Sequence, residues 1–108
     1  MPQGAGRVLA ALVVVLTLAA CDRATGQDFT LYTHCGIDEL QFEGQWYERV
    51  GGVLHDGFGN PPPGWDNPEQ EGTVVRLDES TLVFTDEAGH HEEFRLRDGA
   101  TGPKRRCA

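Results

Sequence analysis

Between Thr73 and Arg97 the chain reads TVVRLDESTLVFTDEAGHHEEFRLR, and bulky apolar residues recur at every second position: Val75 and Leu77, Leu82 and Phe84, Phe94 and Leu96. Side chains alternate between the two faces of a strand, so a period of two suits a half-buried strand and no helix. The polar segments DES and DEAG separate the three runs as turns. The spacing therefore predicts a three-stranded antiparallel meander.

Two further stretches read the same way. FTLYTH (29–34) sets Phe29, Leu31 and Thr33 against Thr30, Tyr32 and His34, and the turn CGID follows it. LQFEGQWYERV (40–50) carries Leu40 and Phe42, then Trp46, Tyr47 and Val50, on either side of Gly44. After the N-terminal segment, no stretch of ten or more residues has helical periodicity with caps. The expected fold is mainly β, a small antiparallel meander or open barrel of five to six short strands.

The first twenty residues stand apart. Arg7 is their one charged residue, and Val8 to Ala20 (VLAALVVVLTLAA) contains no charge. That run is shorter than the roughly 20 apolar residues a membrane-spanning helix needs. A basic start, a short apolar centre and a small-residue end are the layout of a cleaved export signal over residues 1–20. Leu18-Ala19-Ala20-Cys21 resembles the lipobox of bacterial lipoproteins, in which the cysteine is acylated before cleavage; Thr17-Leu18-Ala19 offers an ordinary cleavage site instead.

Cysteine count bears on that choice. The chain has three cysteines, and an odd number in an exported protein leaves one thiol to explain. With lipid on Cys21, Cys35 and Cys107 remain as one disulfide, which export favours over a reactive or metal-binding pair because no C-x-x-C is present. A domain of this size has a thin core, and a bridge closing so long a loop contributes roughly 4 kcal/mol in the chain-entropy model. Residues 21–28, polar after the cysteine, read as a flexible tether that spans at most ~25 Å. Residues 29–108 read as the β domain. The expected location is the outer face of the cytoplasmic membrane, anchored through Cys21, or free secretion without the lipid.

From Cys21 onward eight basic residues face seventeen acidic ones, a net charge of −9. Such a surface is repelled by nucleic acid and by anionic headgroups, which excludes nucleic acid as an expected partner. No cofactor motif is present. His90-His91-Glu92-Glu93 resembles a metal cluster on paper, yet adjacent residues of a strand face opposite ways, and no metal site is expected there. Ser80, the single serine, sits in the DES turn without a nucleophile motif. A small hydrolase or metal-dependent enzyme would have to draw on His34, Asp38 and Asp56. No catalytic residue is assigned, and a non-enzymatic module is the expected class.

The longest irregular stretch, residues 51–72, contains NPPPGWDNP (60–68), with four of the chain's six prolines. Pro61, Pro62 and Pro63 fix about one turn of polyproline II, with glycines at both ends to allow bends. No two prolines stand three apart, so the P-x-x-P spacing is absent. Two readings stand side by side: a structural loop in which Trp65 folds back onto the domain, and a contact surface for an envelope protein or small ligand.

THCGID (33–38), NPPPGWDNP, Gly72-Thr73 and Cys107 together resemble a group of small exported proteins and lipoproteins of actinobacteria, over about Tyr32 to Cys107. The resemblance implies export and one shared fold, and it stops short of an activity. It directs attention to Asp38, Asn60, Trp65 and Asn67, to which Pro62 is added as the middle of the proline rod. A purely structural envelope protein is the remaining alternative.

Overall fold

A computed structural model describes residues 26–107. The export signal, Cys21 and most of the expected tether lie outside the described residues. Six strands follow in chain order: β1 (Gln27–Tyr32), β2 (Glu39–Phe42), β3 (Gln45–Arg49), β4 (Glu69–Asp78), β5 (Thr81–Thr85) and β6 (His91–Leu96). All pair antiparallel in one sheet of order β1-β4-β5-β6-β3-β2. The sheet curls into a nearly closed barrel. The expected meander is β4-β5-β6, and the expected Cys35–Cys107 disulfide is formed, with a Cα–Cα distance of 6.0 Å. Gln27 and Asp28, read above as the end of the tether, pair with Val74 and Thr73, so β1 begins two residues early.

Local chemistry explains the reversals. Glu43 and Gly44 take φ of 52° and 81°, a two-residue hairpin turn matching the twist of β2 and β3. The Asp78 Oδ1 atom accepts the Ser80 amide at 2.8 Å to close the β4–β5 turn. Asp86 Oδ1 accepts the His90 amide at 2.9 Å between β5 and β6.

The core is Leu31, Ile37, Leu40, Phe42, Tyr47, Val74, Leu82, Phe84 and Phe94, all buried. Each such side chain contributes about 1.5–3 kcal/mol on burial. In β4 the inward set differs from the spacing read in the sequence. Val74 is buried at 2% exposure, whereas Leu77 is 59% exposed. A register shift between Arg76 and Asp78 breaks the alternation there. Gln70, Gly72 and Val74 face inward, in step with Leu31 opposite Gln70. Gly72 is required by packing: a Cβ there would lie 2.5 Å from Phe84 Cζ and 2.7 Å from its Cε2. Arg76 closes one end of the barrel, its guanidinium 5.7 Å from the Phe42 ring centre and 6.0 Å from that of Tyr47. Its Nη1 also donates to the buried Tyr47 hydroxyl at 3.2 Å.

Candidate functional site

The irregular stretch between β3 and β4 is tied down along its length. Cys35 N donates to Gly59 O at 2.9 Å and Thr33 N to Pro68 O at 2.7 Å, which fixes the loop against the end of β1. The Thr33 hydroxyl, fully buried, donates to Asp66 O. Gln70 Oε1 accepts the Asp66 amide at 2.8 Å. Pro61 is buried and Pro62 half-buried, so the proline rod forms part of the wall.

Trp65 is half-buried and packs on the core. Its ring lies on His90, with centroids 3.7 Å apart and planes 16° apart, and 6.2 Å from Phe84. His90 is held in turn by Asp86, whose Oδ2 lies 2.6 Å from the ring Nδ1. Burial pushes the Asp86 carboxyl up, but the His90 ring and amide and the Ala88 amide outweigh it and hold it below the ordinary value. Of the two adjacent histidines, His90 is therefore committed to Trp65, and His91 lies exposed in β6.

At the tip of the same loop, Asp56 organises a turn around Phe58. Its Oδ1 accepts the Phe58 amide at 2.6 Å and the Asn60 amide at 3.2 Å, while its Oδ2 accepts Asn60 Nδ2 at 3.3 Å. Asn67 Nδ2 reaches Asn60 Oδ1 at 3.1 Å. The Phe58 amide, against the opposing effect of desolvation, acts with the Asn60 side chain and amide to hold the Asp56 carboxyl below its ordinary value. Gly57 and Gly59 have φ of 91° and 83°, so the chain bends sharply on both sides of Phe58. Phe58 is left 85% exposed. The sequence reading missed it, because a lone aromatic between two glycines carries no periodicity.

Asn60, Pro62, Trp65 and Asn67 thus share one loop, whereas Asp38 lies elsewhere. Asp38 stands just before β2, where Lys104 Nζ at 2.9 Å and Arg105 Nε at 3.2 Å bind its two oxygens. Burial pushes its carboxyl up, and those two cations more than offset this and lower it. Asp38 and His34 both line an open cleft of about 770 Å³ between β1 and β2; Asp56 does not. His34 also lies beside the disulfide, with its ring nitrogen and both sulfurs within 4.8 Å of one another. With the two sulfurs bonded to each other, no thiolate is available there to a metal. No family model, curated protein or solved structure matches the chain.

Proposed function

We propose that this chain is an exported, lipid-anchored and non-enzymatic module of the cell envelope, which presents loop 56–72 to another envelope protein through Phe58. The observation that carries this reading is an aromatic side chain 85% exposed on a turn that Asp56, Asn60 and Asn67 make rigid. A preorganised apolar tip loses little conformational freedom on binding, and aromatic anchors dominate interface energies. The acidity of the domain favours a protein partner over an anionic bilayer. Anchoring rests on the lipobox-like sequence at Cys21 and the odd cysteine count, and the actinobacterial resemblance fits the same compartment. An enzyme built on His34, Asp38 and Asp56 is less well supported, because both carboxylates already bind groups of the protein itself.

A photo-crosslinking residue placed at position 58 tests the contact in native membranes. It should yield a discrete adduct that the same probe at Leu77, another exposed apolar position, does not give. Identical adducts from both positions would refute it. Labelling with a fatty acid should mark the wild type and not Cys21→Ser, and equal labelling would refute the anchor.

A further inference from the structure

The cleft between β1 and β2 is the seam at which the barrel fails to close. Thr33 N donates to Pro68 O, and the ladder continues with Leu31 opposite Gln70 and Phe29 opposite Gly72. Hydrogen-bonded pairs recur at every second residue of an antiparallel ladder. The N–H and C=O groups of Phe29 and Leu31 therefore point at β4, and those of Thr30 and Tyr32 point into the seam. On the other side Arg49 N donates to Asp38 O, and Leu40 pairs with Tyr47 and Phe42 with Gln45. The backbone groups of Glu39 and Gln41 thus also point into the seam. Thr30, Tyr32 and Gln41 have no backbone hydrogen-bond partner on that side among the described residues.

The walls of the seam are chemically distinct. Inside, Phe29 and Phe42 touch across it edge to face with centroids 6.1 Å apart, and Leu40 continues the apolar floor. Outside, the C-terminal segment brings Arg105 and Arg106 to the rim. Arg105 is paired with Asp38, while Arg106 has no ion-pair partner among the described residues.

We propose that the seam accepts an extended peptide segment of another exported protein as a seventh strand, with apolar side chains inward on Phe29 and Leu40 and an acidic side chain outward at Arg106. Alternation along a strand gives the two sets of side chains, and two rows of unpaired backbone groups supply its ladders. Because β1 and β2 run antiparallel to each other, the guest is parallel to one and antiparallel to the other. Arg106 makes the site selective for a carboxylate. The proposal uses a different surface from loop 56–72 and stands whether or not Phe58 binds a partner.

The test uses the exported, disulfide-bonded protein and three synthetic hexapeptides: alternating Val and Glu, alternating Val and Lys, and the Val/Glu peptide with alternate amides N-methylated. Decanoate serves as a small anionic amphiphile. Titration followed by amide NMR should show the Val/Glu peptide binding and slowing exchange of the Thr30, Tyr32 and Gln41 amides. The other two peptides should bind at least about tenfold more weakly, as should the Val/Glu peptide to Arg106→Glu. Thr30→Pro removes the seam-facing donor of an edge strand and, on the exposed face, the Thr30 hydroxyl's bond to Glu71 at 2.9 Å; it should fold with some loss of stability and also bind more weakly. Failure of the Val/Glu peptide to bind, or binding without protection of those amides, overturns the proposal. Binding of decanoate alone overturns it in favour of an amphiphile site.

Discussion

Trp65 lies flat against His90, with ring centroids 3.7 Å apart, and the two close the β5–β6 end of the barrel over Phe84. This pair divides the long loop into a part that holds and a part that is presented. Trp65→Ala removes a large half-buried ring and opens a void beside Phe84. The expected loss is about 2–3 kcal/mol, toward the lower end for large aromatic truncations because the ring is only partly buried. For a domain of this size that lowers the melting temperature by roughly 10–20 °C. Phe58→Ala should change it by less than about 3 °C, since the side chain touches solvent. Thermal unfolding of the two variants checks both; equal losses would show that the loop is braced at its tip as well.

Asp86 and Asp38 contribute to the acid limit of the fold, beside the hydrogen-bonded turn carboxylates Asp56 and Asp78. The first two carboxyls sit below the ordinary value of 3.8, Asp86 chiefly through the His90 ring and amide overcoming burial, Asp38 through Lys104 and Arg105 doing so. A depressed folded-state pKa gives stability that is fully present above the unfolded value and is lost as pH falls through the folded one. Stability should thus hold down to about pH 4 and decline below it. Asp86→Asn should cost about 1–2 kcal/mol at neutral pH and flatten the acid decline. Urea unfolding across pH measures both, and an undiminished acid slope in the variant would assign that slope to other carboxylates.

Gly72→Ala tests the inward face of β4. The new methyl would meet the backbone carbonyl of Thr85 first and Phe84 at 2.5 Å. Neither can retreat without breaking β4–β5 pairing or moving Phe84 off Trp65. A destabilisation of about 1–3 kcal/mol is expected, typical of overpacking, and Phe84→Leu in the same chain should recover part of it. Equilibrium unfolding of the single and double variants supplies the comparison.

These residues also mark how far the sequence could be read. The meander was legible because Leu82, Phe84 and Phe94 alternate with polar neighbours and acidic turns punctuate them. The inward face of β4 was not. Val75 and Leu77 look like the buried set, but the register shift at Arg76/Asp78 and the match to β1 turn Gly72 and Val74 inward instead. Hydropathy ranks a glycine as no core residue, so only Phe84 sitting above it reveals the choice. The seam was hidden for a different reason: β1 and β2 meet through side chains at its inner edge, a long-range relation that no local pattern encodes. Cys35 and Cys107 were readable as a pair from the cysteine count, given the expectations of export and of a lipid on Cys21. Trp65 was conspicuous as a residue, but its burial depends on His90, which lies twenty-five positions away in the chain.

The disulfide sets how firmly the C-terminal segment guards the seam. Other ties are present: Lys104 reaches Asp38 at 2.9 Å and Glu48 at 3.3 Å, its amide reaches Glu39 at 2.7 Å, and Arg97 Nη1 reaches Gly102 O at 2.8 Å. Exposed ion pairs contribute about 0–1 kcal/mol each and weaken with salt, so the Cys35–Cys107 bond is the dominant restraint. The six-stranded sheet itself needs neither cysteine for its pairing. Cys107→Ser should therefore leave a folded domain that is about 2–4 kcal/mol less stable. Its segment 103–107 should exchange amide hydrogens freely at high salt, and Arg106 should no longer be held at the rim. Hydrogen exchange with and without salt checks this: protection at the tail that survives both the substitution and high salt would mean that backbone packing along β2, and not the bridge, holds the segment in place.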